Sequence, residues 1–193
     1  MMLMPLVNPY LLATGWSFDP AESTAEALLL DNNKTLSSAN LDDYDFVSAR
    51  GDKQVPTTGK FVITFEVIEP PSEKEYMGFG FSEVSEDITS SEYFVGYTAQ
   101  SVAFYDNGNL WHDNDVVNVP KVDFFYYSGA VVDIAINVDS QLMWISVDGG
   151  EWNRDGDADP GTGAGGLAVP ITPPYLPAAT IIRDSSTGIV KIL

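Results

Sequence analysis

Apolar and polar residues alternate along much of this chain, and that alternation predicts β-strands. Within Gly129–Asp139, Val132, Ile134, Ile136 and Val138 share one face, opposite Asp133, Ala135, Asn137 and Asp139. Such a strand buries one side only. A turn at Asp139-Ser140 leads into a second strand from Gln141, closed by Asp148-Gly149-Gly150. Trp144 alternates with Leu142 there and is assigned to the interior. Gly59–Ile68 places Phe61, Ile63, Phe65 and Val67 on one face, and Pro70-Pro71 ends it because proline cannot donate to a ladder. Tyr76–Ser82 sets Gly78 and Gly80 against Met77, Phe79 and Phe81, a spacing that marks a bend or the close approach of another layer.

Shorter segments complete the pattern. Ala27–Leu30 and Thr35–Ser38 flank a hairpin turn at Asp31–Lys34, and Tyr44–Arg50 and Tyr93–Tyr97 read as strands. Val102–Tyr105 and Leu110-Trp111 form a hairpin around Asn107-Gly108, whose residues tolerate positive φ. Residues 115–118, 122–127, Tyr175–Ile182 and Gly188–Leu193 supply further strands. Helical periodicity is nearly absent. Asp19–Leu28 is expected to hold one short helical turn, since Pro20 suits a first helical position. Many short strands separated by turns predict an all-β, antiparallel two-sheet β-sandwich over 26–193. Residues 1–25 are expected to form an N-terminal arm that attaches to the domain or to a neighbour.

Composition narrows the functional classes. At 193 residues the chain is large enough for one well-packed core, and 45% hydrophobic residues with 12% aromatics suit a folded domain. No cysteine is present, which excludes disulfides, thiolate nucleophiles and Cys-ligated metals. The net charge is −19, from 28 acidic and 9 basic residues. Such a surface repels phosphate backbones and anionic lipid, so no nucleic-acid partner and no membrane insertion are expected. It favours solubility and attracts cations or basic partners. Met1–Leu6 is apolar but has no basic region before it and is broken by Pro5, which makes it a poor signal peptide.

Several groupings bear on chemistry. Asp155, Asp157 and Asp159 alternate along a loop, and oxygen-rich loops suit Ca²⁺, although Pro160 breaks the EF-hand pattern. A Ca²⁺ site at these three carboxylates stands against a plain solvated acidic loop; no other cofactor is expected. His112 is the only histidine and lacks the Gly-x-Ser-x-Gly context of a hydrolase nucleophile. Glu66 and Glu69, like Glu83 and Glu86, are spaced to face opposite sides of a strand, so the paired acids of a glycosidase are not formed. Gly161–Gly166 lacks the Lys-Ser/Thr of a phosphate loop. No catalytic role is expected. The aromatic residues Tyr97, Tyr105, Trp111, Trp144 and Trp152 offer flat faces to a ligand, and Trp111 and Trp152 border polar loops. The expected ligand-binding residues are Trp111, His112, Asp113, Trp152, Asp155 and Asp157.

From about Leu28 to Leu193 the order of segments resembles the SPRY (B30.2-like) domain, a concanavalin A-like jelly roll. The matching stretches are Gly59-Lys60-Phe61 through Phe65-Glu66-Val67, Met77–Phe81, Gly129–Asp139, Leu142–Gly149 and Tyr175–Ile181. Ala130, Asp148 and the inserted Leu176 depart from the usual pattern. The run Glu151–Gly163 is similar to SPRY-like domains of phage and prophage proteins. The resemblance implies a non-enzymatic virion protein of a fibre, spike, baseplate or head surface, assembled in the host cytoplasm as a homo-oligomer. Its partners would be other virion proteins and host-surface polysaccharide. The alternatives are a purely structural cement or decoration protein, a peptide-binding adaptor, and a glycan-cleaving enzyme.

Overall fold

The computed structural model describes residues 11–12, 15–25, 27–38, 46–71, 77–90, 92–117, 127–182 and 187–193. Its strands are β1 (Leu11–Leu12), β2 (Phe18–Ser23), β3 (Leu28–Leu30), β4 (Thr35–Ser37), β5 (Phe46–Gly51), β6 (Lys60–Glu69), β7 (Met77–Glu83), β8 (Ser101–Tyr105), β9 (Leu110–His112), β10 (Asp115–Val117), β11 (Val131–Asn137), β12 (Leu142–Val147), β13 (Leu167–Ala168), β14 (Tyr175–Ile182) and β15 (Ile189–Ile192). The first sheet runs β13-β12-β11-β6-β15-β4-β3, and the second β10-β9-β8-β7-β14-β5-β2. These pairings are antiparallel; β1 joins β6 in parallel, with Leu11 opposite Phe61, on the edge that β15 leaves free beyond Phe65. This is the two-sheet sandwich that the alternation predicts.

The core lies between the sheets. Phe61, Ile63, Phe65 and Val67 from β6 meet Met77, Phe79 and Phe81 from β7, and Phe65 stacks on Phe79 at 4.8 Å between ring centroids. Val132, Ile134 and Ile136 of β11 point into the same layer. The glycines of β7 explain its tight fit against β8. A Cβ on Gly80 would lie 1.9 Å from the Val102 carbonyl oxygen, so the backbones approach too closely for any side chain there. Pro177 sits in β14 without breaking it, because the ladder to β5 begins one residue later, at Ala178. Its ring instead packs where a Cβ on Gly51 would stand, 2.7 Å away.

Two expectations are corrected. Asp19–Leu28 holds no helical turn; Phe18–Ser23 is an edge strand on β5 with a register shift between its paired ends. That irregular edge accommodates Pro20, which has no N–H to donate. Trp16 and Phe18, ahead of residue 26, are buried in the core. Tyr93–Tyr97 is a turn rather than a strand, with Tyr93 and Val95 buried by packing on the second sheet. The expected strand at 122–127 lies outside the described residues except for Tyr127.

Candidate functional site: an aromatic face on the second sheet

Each sheet has an outward face, and each is covered by a different segment. On the second sheet the outward positions are Ser48 and Arg50 of β5, Ser82 of β7, Ala103 and Tyr105 of β8, and Ala178 and Thr180 of β14, alternating with core residues. Residues 84–90 and 92–100 lie over them. Ser48 donates to the Tyr93 carbonyl at 3.0 Å, Val95 N–H to Thr180 Oγ1 at 2.8 Å, and Tyr105 O–H to the Val95 carbonyl at 3.1 Å. Glu86 is buried and accepts hydrogen bonds from Ser82, Tyr93 and Thr98 hydroxyls. Arg50, 1% exposed, pairs with Glu22 and donates to Ser82 Oγ and the Glu83 carbonyl. Buried charges are tolerable only when paired or hydrogen-bonded, and this network meets that condition for Glu86. The result is a cover held to the sheet by specific polar contacts rather than by apolar packing alone.

Burial also raises the pKa of two tyrosines where the cover meets the sheet, Tyr93 of the cover and Tyr105 of β8. Tyr93 is pushed well above its ordinary 10.0, first by burial and then by the Glu86 charge, and Tyr105 is raised by burial. Both are neutral in the folded state, whereas the unfolded chain ionises them near pH 10. Their contribution is fully present below that pH and is lost as pH rises toward the folded values. Stability should therefore fall above pH 10 by about 1.4 kcal/mol per pH unit for each tyrosine. Urea unfolding at stepped alkaline pH would measure the slope; Tyr93→Phe should reduce it by one tyrosine's share.

Above this cover the aromatic side chains reach the surface. Phe94 is the hub: its ring centroid lies 5.1 Å from Phe46, 5.2 Å from Tyr97, 5.7 Å from Trp111 and 6.2 Å from Tyr105. Phe46, Phe94 and Trp111 are half-buried, while Tyr97 is 41% exposed and Tyr105 is buried beneath. Tilted and edge-on contacts at such distances favour a fixed aromatic cluster. Gly96 presses directly on Trp111: with φ at +101°, its hypothetical Cβ would lie 2.7 Å from Trp111 Cβ. The β9–β10 hairpin turns through Asp113 and Asn114, both at positive φ, as a tight two-residue turn requires. Asp113 N–H donates to the Thr98 carbonyl at 3.1 Å and Asn114 N–H to Gly96 at 3.1 Å, which locks the hairpin to the 94–98 turn. His112 Nδ1 lies 3.0 Å from the Ser101 carbonyl, a structural contact.

The other expected residues lie on the opposite side of the molecule. Trp152, Asp155 and Asp157 belong to residues 151–166, which cover the outward face of the first sheet. That segment shields Trp144, fully buried with Ala135 and Ala158 and outside the inter-sheet core. Trp144 Nε1–H donates to the Ala164 carbonyl at 2.8 Å. Asn153, buried at φ +50°, accepts from Ile145 N–H at 3.0 Å and donates to the Gly165 carbonyl at 2.8 Å. Asp155 and Asp159 accept backbone N–H groups of Asp157 and Gly161 at 3.0 and 2.7 Å, so both carboxylates cap turns in their own loop. The Ca²⁺ candidate set does not converge: among the described residues, no three acidic or histidine side chains group to hold an ion. The six expected ligand-binding residues thus fall into two separate groups, and Phe46 and Phe94 join the group around Trp111.

A cavity of about 290 Å³ lies near the start of β14, lined by Glu83, Val84, Ser85, Thr172, Pro173 and Pro174. Its one carboxylate accepts from Thr172 N–H at 2.7 Å, so it is engaged in holding the loop.

The architecture has clear counterparts among solved structures. The SPRY domain of human HERC1 superposes with a TM-score of 0.66 at 16% identity, covering 91% of this chain and 96% of that one. The fold is that of SPRY domains. The TRIM65 PSpry domain matches at TM-score 0.60 and 11% identity, over 92% and 91% of the two chains. Stonustoxin matches at 0.60 and 14%, over 92% of this chain and 27% of its own. At these identities the likeness is one of backbone architecture, with functional surfaces free to differ. No protein-family model and no curated protein matches the sequence. In this SPRY sandwich the aromatic face belongs to the second sheet's outer cover.

Proposed function

We propose that this chain is a non-enzymatic recognition module of a phage virion, present in several copies per particle, which uses the aromatic face to bind a neighbouring virion subunit or host-surface polysaccharide. The observation that supports this reading is the part-exposed cluster of Phe46, Phe94, Tyr97 and Trp111, held on a rigid, hydrogen-bonded base. Aromatic groups that stay open while their supports are locked present contact area at little ordering cost. The virion setting rests on the similarity of Glu151–Gly163 to phage SPRY-like domains; in this fold that stretch covers Trp144. Two of the strand acids hold the structure together: Glu86 anchors the cover and Glu83 holds Thr172.

The test is a double substitution, Tyr97→Ala with Trp111→Ala. It should reduce particle incorporation or host adsorption at least tenfold while leaving the melting temperature within a few degrees, since neither side chain sits in the inter-sheet core. Undiminished incorporation and adsorption together would refute the site.

A further inference from the structure

Resting on that reading of the aromatic face, we infer that its partner is a protein segment bearing arginine or lysine, whose cationic groups lie over the exposed rings. Charge carries the argument. The described residues 92–117 supply most of the face and contain no lysine or arginine. Four of the six described basic residues are engaged elsewhere. Arg50 is buried against Glu22, Lys53 donates to the Gly15 carbonyl, Lys60 reaches Gly161 beneath the first sheet's cover, and Lys191 pairs with Asp31. Exposed carboxylates, by contrast, border the rings: Asp113 and Asp115 on the β9–β10 hairpin, and Glu92 two residues before Phe94. Asp113 is fixed beside the 94–98 turn by its hydrogen bond to Thr98, and Val116 pairs across from Trp111.

Aromatic faces edged by carboxylates that have no ion pair among the described residues form a cation site in two ways. The ring quadrupoles attract a guanidinium or ammonium placed over them, and the acids add a direct ion pair. A segment with apolar residues between its cations would also cover the rest of the exposed ring surface. Neutral sugar gains nothing from the uncompensated negative charge, and anionic polysaccharide is repelled by it. The net charge of −19 extends the attraction beyond contact and speeds encounter with a basic partner at low salt.

The experiment titrates the intact chain with the peptide Arg-Leu-Arg-Leu-Arg, and with a counterpart carrying glutamate in place of arginine, by calorimetry. The arginine peptide should bind and the glutamate peptide should not. Tyr97→Ala with Trp111→Ala should weaken binding about tenfold. Asp113→Asn with Asp115→Asn should weaken it about fivefold, whereas Asp155→Asn with Asp157→Asn, an equal charge change on the opposite face, should alter it less than twofold. Equal losses from the two asparagine pairs would overturn the inference, because bulk charge alone would then explain binding. Failure of the arginine peptide to bind would also overturn it. In that case, loss of adsorption or incorporation in the Tyr97/Trp111 variant would leave the binding face standing, and its retention would remove both.

Discussion

Replacing Gly80 with alanine should cost about 3 kcal/mol of folding stability. The reason lies in the backbone. The new methyl would meet the Val102 carbonyl oxygen at 1.9 Å and Ala103 Cα at 2.7 Å, and neither can rotate away. β7 and β8 would have to separate, which breaks a ladder running from Gly78–Tyr105 to Ser82–Ser101. Gly78→Ala is the control. The atoms nearest its methyl would belong to the Tyr105 ring, from 2.6 Å, and a ring at the end of a side chain yields more readily than a strand. Urea denaturation of both variants should rank Gly80→Ala as clearly the less stable. Equal midpoints would show that the two sheet strands are not so closely opposed.

Trp144→Ala should have the largest effect of any single side-chain truncation on the first sheet, about 4 kcal/mol. It removes a fully buried indole and the hydrogen bond to the Ala164 carbonyl. It also takes away the floor on which residues 151–166 rest, since a Cβ on Gly166 would already lie 2.4 Å from the Trp144 ring. Limited proteolysis should then cut this segment first. Trp144→Phe keeps most of the apolar area and should lose only about 1–2 kcal/mol, chiefly through the missing donor. Peptide binding per folded molecule should remain unchanged in either variant. A proteolysis pattern identical to the parent's would count against the covering role.

Much of the architecture was legible from alternation alone. Tyr175–Ile182 matches β14 at both ends, and the buried face of Lys60–Val67 is the one read from Phe61, Ile63, Phe65 and Val67. The two-glycine strand announced the close approach of β8. Misreadings came where tertiary context overrode local signals. Asp19-Pro20 looks like a helix start, yet an irregular sheet edge holds proline equally well. Tyr93 and Val95 alternate as a strand would, but their partners are the Ser48 and Thr180 hydroxyls of the underlying sheet, not a neighbouring ladder. The site was half legible. Trp111 stood out because it borders a polar turn. Phe46 and Phe94 carry no local mark, since their grouping depends on strands far apart in sequence. Trp152 gave the same local signal as Trp111 and lies on the other side of the sandwich. No pattern of nearest neighbours encodes which sheet an outward residue belongs to.

The two covers share no residue, and the whole thickness of the core separates them. Perturbations to one should therefore sum with perturbations to the other, within about 0.5 kcal/mol. An evolving lineage could rewrite the 151–166 segment, or a designer could graft a foreign epitope there, without retuning what the far side recognises.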